Sequence, residues 1–202
     1  MIERKEKRLV PRKYVLEGAG GTGKSTLLNE ISKTGIYTLK EAAEYLIQRE
    51  ITPAKVGRCA FQEKVLDTQL EWEREIPGEI KYSLQDRGIP GGIGFFLAEG
   101  LEPPERLLRA AQEAEYAGIF LLEPLATYQN TGMRVESREK ALRIHEKIRG
   151  VYEGLDYELH IIPPLSLADR MHTVMDRLFA NELLLNEGLP GIFKYRSKRQ
   201  II

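Results

Sequence analysis

Residues 14–28 read YVLEGAGGTGKSTLL. An apolar run ends in an acid, Glu17, breaks into glycines and resumes as helix-forming residues. Within it Gly18, Ala19, Gly20, Gly21, Thr22, Gly23, Lys24 and Ser25 fit the spacing GxxxxGK[ST] without a gap. Glycines admit the backbone angles that turn successive N–H groups inward. With the N-terminus of the next helix they form a site for phosphates. A lysine placed like Lys24 reaches the β- and γ-phosphates, and a hydroxyl placed like Ser25 ligates Mg2+. Thr26 completes the candidate nucleotide contacts. The pattern arises by chance in about one chain in a hundred of this length. Here it follows an apolar strand and precedes a helix led by Leu27, Leu28 and Ile31. The alternative is a glycine-rich turn with a surface lysine.

Outward from this loop the chain alternates. Strand-like runs lie at 13–17, 35–39, 80–85, 117–122 and 157–162. Phe61, Val65, Leu66, Gln69 and Leu70 mark one helical face between them, and Leu107, Leu108, Ala111 and Ala114 a second, opened by Pro103-Pro104. Leu142, Ile144, Ile148, Val151 and Tyr152 suggest a third. Ser166 and Asp169 read as a capping box before a stripe of Met171, Val174, Met175, Leu178 and Phe179. Strands separated by helices imply an α/β protein of P-loop NTPase type, with a central parallel sheet of about five strands flanked by helices. One run fits poorly: IKYSLQ (80–85) alternates apolar and polar residues, whereas a central parallel strand is expected to be apolar throughout. No internal repeat or low-complexity linker interrupts the sequence. Residues 1–202 are therefore read as one domain, with a basic arm at 1–12, a candidate lid at 128–140 and a basic tail at 188–202.

Composition narrows the class. The 30 basic and 30 acidic residues cancel, which gives no global field to recruit nucleic acid or an anionic membrane. The hydrophobic content of 42% suits a packed core. No apolar run is long enough to span a bilayer, and the first ten residues lack the apolar segment of a signal peptide. With Cys59 alone there is no internal disulfide, and a cytoplasmic protein is expected.

In open α/β sheets ligands sit beyond the carboxyl ends of the strands. The candidates there are Glu41, Asp86-Arg87-Gly88, Glu123-Pro124 and Pro163-Pro164. Asp86 is placed to hold Mg2+, directly or through water. Arg87 is placed to neutralise charge on a transferring phosphoryl group; the alternative for both is a strand-end turn with a surface ion pair. Glu41 is a candidate acceptor of a substrate hydroxyl proton, or equally a first-turn acid of a helix. Glu123 reads as structural. Arg134 and Arg138 lie where a lid would close over phosphates. His145, His160 and His172 have no ligand spacing and read as structural or surface residues.

Several segments together resemble the small P-loop kinases of the nucleoside and nucleotide kinase type, and among them the AAA-domain ATPases related to the NadR ribosylnicotinamide kinase domain. They are the loop itself, KEAAEYLIQRE (40–50), FQEKVLDTQLEWE (61–73), DRGIPGG (86–92) and residues 120–163, and the resemblance covers roughly residues 13–180. It implies an Asp-Arg pair for phosphoryl transfer at Asp86 and Arg87, lid arginines at Arg134 and Arg138, and ATP with Mg2+. The group commonly carries an acid a few residues after its Asp-Arg-Gly; Gly91 and Gly92 occupy that region here.

Absences separate the classes. A GTPase of the translation or Ras type carries NKxD and DxxG motifs, and Asp86 is followed instead by Arg-Gly-Ile. A full AAA+ motor is longer, and an ABC-type ATPase carries an LSGGQ-like signature that is missing. The expected function is phosphoryl transfer from ATP, with GTP also open, to a hydroxyl or phosphate of a nucleoside-, nucleotide- or cofactor-like acceptor. The alternative is a nucleotide-binding regulatory switch with slow hydrolysis.

Overall fold

Strand β1 (Arg12–Glu17) is the centre of a five-stranded, wholly parallel sheet in the order β2-β3-β1-β4-β5. The computed structural model describes residues 10–125 and 137–186, with side chains to residue 180. The other strands are β2 (Tyr37–Leu39), β3 (Tyr82–Asp86), β4 (Gly118–Leu122) and β5 (Leu159–Ile162). Between them run α1 (Lys24–Ser32), α2 (Ala42–Gln48), α3 (Pro53–Val56), α4 (Arg58–Arg74), α5 (Ile89–Ala98), α6 (Glu105–Glu113) and α7 (Arg138–Gly154), and α8 (Leu167–Asn186) follows β5. The sequence-predicted strands all occur. Residues 1–9 of the expected arm, the tail, and the lid up to residue 136, Arg134 among them, lie outside the described residues, and Arg12, read as the end of the arm, opens β1.

Alternation along β1 splits the core in two. Tyr14 and Leu16 pack with Leu27, Leu28 and Ile31 of α1 and Val174 and Leu178 of α8. Val15 faces the opposite way, into Ile89, Ile93 and Phe96 of α5 and Ile144, Ile148 and Tyr152 of α7. Register carries the same division into β3, where Leu84 pairs beside Tyr14 and Gln85 beside Val15. This explains IKYSLQ. All five β3 residues are buried, and the alternation is between two buried faces rather than between core and water. Tyr82 and Leu84 take the α1/α8 side. On the other side Gln85 Nε2 donates to Glu73 Oε1 at 2.8 Å. The Tyr116 hydroxyl donates to the same oxygen at 2.7 Å and accepts the Ile89 N–H at 3.0 Å. A buried polar strand residue is tolerated because its partner is buried with it.

Helix caps follow the sequence. Ser137 accepts the Lys140 N–H at 3.2 Å, and Ser166 accepts the Asp169 N–H at 3.2 Å. The third helical stripe needs one correction. Leu142 is 42% exposed, and its expected place on the buried face of α7 is taken by Ala141 and His145. In α8, Phe179 sits at the edge of the stripe, 39% exposed, with its ring against Tyr82.

Helix α5, IPGGIGFFLA, carries no helical signature, because three of its ten residues are glycine. Those glycines answer to packing. A Cβ on Gly94 would lie 2.6 Å from Ile148 Cγ1 and 2.9 Å from the Ile148 backbone, so α5 and α7 touch backbone to backbone. Gly150, exposed on α7, meets nothing within 4 Å. Gly94→Ala is therefore expected to destabilise by about 1–3 kcal/mol, while Gly150→Ala stabilises by up to about 1 kcal/mol. Urea denaturation of both variants checks the pair of signs.

Candidate active site

Three strand ends and one loop build the site. β1 runs into the loop at Gly18, whose φ of +133° lies outside the range of other residues. A Cβ there would also stand 2.8 Å from the Leu122 carbonyl of β4. The loop then turns into α1 at Gly23. Lys24 is only 4% exposed, and its Nζ donates to the Gly18 and Ala19 carbonyls, both at 2.9 Å. Burial lowers its pKa and the neighbouring Arg87 lowers it further, against the pull of Asp86, Glu41 and Glu17. The ammonium thus rests on carbonyls of its own loop. Ser25 is half-buried and Thr26 exposed on the first turn of α1.

Asp86 ends β3 opposite Leu16 and turns toward α1. Its Oδ2 accepts the Ser25 hydroxyl at 2.7 Å. Its Oδ1 is buried and has no partner among the described residues. Burial pushes its pKa up to about 6; Lys24 opposes the rise, and Glu41 adds to it. Two hard oxygen donors beside a phosphate loop, one with unused capacity, are what a partly hydrated Mg2+ takes. Among the described residues no three carboxylate, histidine or cysteine side chains gather as a protein-only metal cage.

Arg87 does not form the surface pair of the alternative reading. Its Nε donates to Glu41 Oε1 at 2.9 Å, and its Nη1 to the Gly18 carbonyl at 2.9 Å and to Glu17 Oε1 at 3.3 Å. The guanidinium lies 4.8 Å from the Phe95 ring centre. Burial opposes its charge, but Glu41, Glu17 and Asp86 together hold it protonated more firmly than usual. The backbone is left-handed here, φ +74°, at a cost of about 1–2 kcal/mol. Those bonds, with the Arg87 N–H on the Leu16 carbonyl at 3.0 Å, keep it there. Glu41 is the N-cap residue of α2, but its side chain makes no cap bond and pairs with Arg87 instead; the first-turn acid of α2 is Glu44.

Glu17 was legible only as an acid ending an apolar strand. It is fully buried, and each oxygen has two donors. Oε1 accepts the Gly18 N–H at 3.0 Å and Arg87; Oε2 accepts the Gly88 N–H at 3.2 Å and the Tyr152 hydroxyl at 2.9 Å. Gly91 makes room for it, since a Cβ there would overlap Oε2. Tyr152, 135 residues away in sequence, gave no signal of this contact. Arg170 of α8 was also missed, although a cation four and eight residues before the buried Val174 and Leu178 breaks an apolar stripe. Its Nη1 donates to the Thr22 carbonyl at 2.7 Å.

Two recesses flank the loop. One is lined by Ala19, Gly20, Gly21, Pro124, Leu125, Ala141, Leu142 and the exposed Arg138 at the start of α7. The other, between the ends of β2 and β3 and helix α4, is lined by Lys40, Gln69, Trp72, Gln85, Asp86 and Arg87. Glu123 accepts Arg149 Nη2 at 3.1 Å and stands 3.8 Å from His145 Nε2, in keeping with a structural part. His145 is buried, which lowers its pKa, and His172 is exposed.

Residues 13–170 match the AAA_28 family, described as an AAA domain. The chain belongs to that family. No curated protein matches it in sequence. Among solved structures it is similar to deoxyadenosine kinase from M. mycoides with bound dATP, at 15% identity and a TM-score of 0.64 over 82% of this chain and 98% of that one. It is similar to thymidylate kinase from Candida albicans at 14% identity and 0.60, over 85% and 92%. A NadR protein in complex with NR matches at 18% identity and 0.65, over 85% of this chain but 51% of NadR. At these identities the likeness establishes the fold, that of P-loop nucleoside and nucleotide kinases. Among the described residues no helix is long and apolar enough to cross a membrane.

Two outcomes follow from the geometry. Tyr152→Phe leaves one Glu17 oxygen short of a donor and is expected to cost about 1.5–3 kcal/mol, read by thermal and urea unfolding. Asp86 has a folded pKa of about 6, above the ordinary aspartate value of 3.8, so the folded chain binds more protons than the unfolded one between those values. Its contribution without ligand therefore weakens as pH rises through that window and is level above it. Asp86→Asn should remove that component, so that the variant gains on the parent in unfolding free energy between pH 4 and 6.

Proposed function

We propose that the chain is a kinase that uses ATP and Mg2+ to phosphorylate a small acceptor, at a hydroxyl or phosphate of a nucleoside-, nucleotide- or cofactor-like molecule. The observation that carries this is the convergence of Lys24, the Ser25–Asp86 pair and the Glu41–Arg87 pair on one edge of the sheet. The fold shared with nucleoside and nucleotide kinases supports it. GTP stays open as the donor, because the loop reads phosphates and not the base.

In this reading the triphosphate lies along residues 18–26 and Lys24 leaves its own carbonyls for the β- and γ-phosphates. Ser25 and Asp86 would hold Mg2+, which would supply positive charge against the negative charge developing on the phosphoryl group. The acceptor enters the recess beside Trp72 and Gln69. Its oxygen attacks the γ-phosphorus as the bond to the bridging oxygen breaks, Glu41 receives the proton, and the nucleoside diphosphate departs. Arg87 orients Glu41, and Arg138 at the start of α7 supplies further positive charge to the phosphates, a role expected of Arg134 as well. A cytoplasmic location and the organisation of residues 1–202 as one kinase-like unit with a lid belong to the same reading.

One observation favours the regulatory ATPase or GTPase alternative: Glu41 is already engaged by Arg87 instead of standing clear as a base. A metabolite mixture with ATP and Mg2+, scored by mass for phosphorylated products, separates the two. A kinase gives an acceptor-dependent product that Lys24→Ala abolishes while the fold survives. Once the acceptor is known, Glu41→Gln is expected to slow its phosphorylation by about 10²–10⁴-fold with ATP binding retained. Hydrolysis without any phosphorylated product, unaltered by Glu41→Gln, supports the switch.

A further inference from the structure

Arg170, like Lys24, is a buried cation at the loop that makes no carboxylate ion pair among the described residues. It is 5% exposed, on a helix face otherwise given to Val174 and Leu178. Its guanidinium donates to the Thr22 carbonyl at 2.7 Å, and its Nε is buried with no partner among the described residues. Both terminal nitrogens lie 3.1 Å from where a Cβ of Gly23 would stand, so the missing side chain of Gly23 is what lets the charge approach the loop. Arg87 is compensated by Glu41 and Glu17, and Lys24 at least has Asp86, Glu41 and Glu17 acting on it, although burial and Arg87 outweigh them. Arginine does not shed its proton, and a buried charge needs a counter-charge. A carbonyl oxygen supplies only a partial one. The surface that Arg170 touches is the turn that would cradle phosphates.

We propose that Arg170 is a positioning residue of the nucleotide site. It holds the Thr22–Gly23 turn from outside the phosphate cradle and supplies fixed positive charge whose counter-ion is a bound nucleoside triphosphate. The inference rests on the reading of residues 18–26 as a nucleotide site. Its particular consequence is that Arg170 acts in proportion to phosphate charge, which a residue serving only to pack α8 against α1 would not.

The test titrates the full chain and its Arg170→Gln and Arg170→Lys variants with ATP, ADP and adenosine by calorimetry in Mg2+. Arg170→Gln is expected to weaken ATP about tenfold to hundredfold, ADP by less, and adenosine not at all. Arg170→Lys, which keeps the charge without the fork, should fall between parent and Gln. Equal weakening of ATP and ADP, or none, makes Arg170 a packing residue and overturns the inference. Where Arg170→Gln does not fold, Arg170→Lys decides by the same criterion, with a few-fold loss for ATP and a smaller one for ADP expected. A parent chain that binds neither ATP nor GTP overturns the nucleotide reading and this inference together. Binding by the parent with unaltered variants overturns this inference alone.

Discussion

The Glu17 carboxylate is the constraint on which the site's geometry depends. A carboxylate at the buried end of the central strand would be unstable unless every lone pair were met. The four donors that meet it come from three places: the first loop residue, the turn after β3 through both Gly88 and Arg87, and Tyr152 on α7. Satisfying one charge therefore fixes where the loop begins, where β3 ends and how closely α7 approaches. The glycines of α5 follow from it: Gly91 clears space for Oε2, and Gly94 brings α5 against Ile148, the residue one turn before Tyr152. Helix propensity is sacrificed in α5 so that a buried ion can be surrounded.

The same carboxylate reaches the candidate chemistry through Arg87, whose guanidinium spans Glu17, the Gly18 carbonyl and Glu41. Arg87 adopts a left-handed backbone so that its side chain turns back across the end of β1. Without that turn Glu41 would be a helix-start acid on the rim. With it, the acid at the end of β2 is tied to the strand that carries the loop. The ion pairs are buried, and their attraction offsets a large loss of hydration, so their clearest product is position and not net stability.

What was legible in the sequence follows from how local each signal is. The loop is read from eight consecutive residues, and the strands and the Ser166 cap from short windows; Ser166 caps as its spacing implies. Strand β3 misled because alternation is read as core against water, whereas here it separates an apolar face from a polar face with its own partners in Glu73 and Tyr116. Helix α5 was invisible because its glycines are explained only by Glu17 and Ile148, which lie far off in sequence. Glu41, Asp86 and Arg87 could be placed by strand ends alone, but not their mutual bonds, since those depend on strand order and on the Arg87 backbone. Arg170 had a local trace, a cation inside an apolar stripe, whose meaning needed the contact with Thr22.

Charge bookkeeping around the loop gives the last step. Lys24, Arg87 and Arg170 face Glu17, Glu41 and Asp86, so the groups cancel when all are ionised. Their placement does not cancel. Glu17 and Glu41 are committed to Arg87, whereas Lys24 and Arg170 rest on loop carbonyls and Asp86 holds one oxygen on Ser25 with the other unpartnered. The uncommitted charges are thus two cations and one carboxylate, all at the loop. A polyanion bringing a divalent cation would match that remainder in both signs: in the proposed reading the phosphates would meet the cations and the metal would meet Asp86. It also relieves the burial that pushes Asp86 toward protonation, because a metal beside a carboxylate favours its ionised form. A bare anion would meet Asp86 as a repulsion, and a metal alone would meet Lys24 and Arg170 in the same way. The arrangement is therefore complementary to the pair together, which is a stronger statement about the ligand than the glycine-rich loop makes alone.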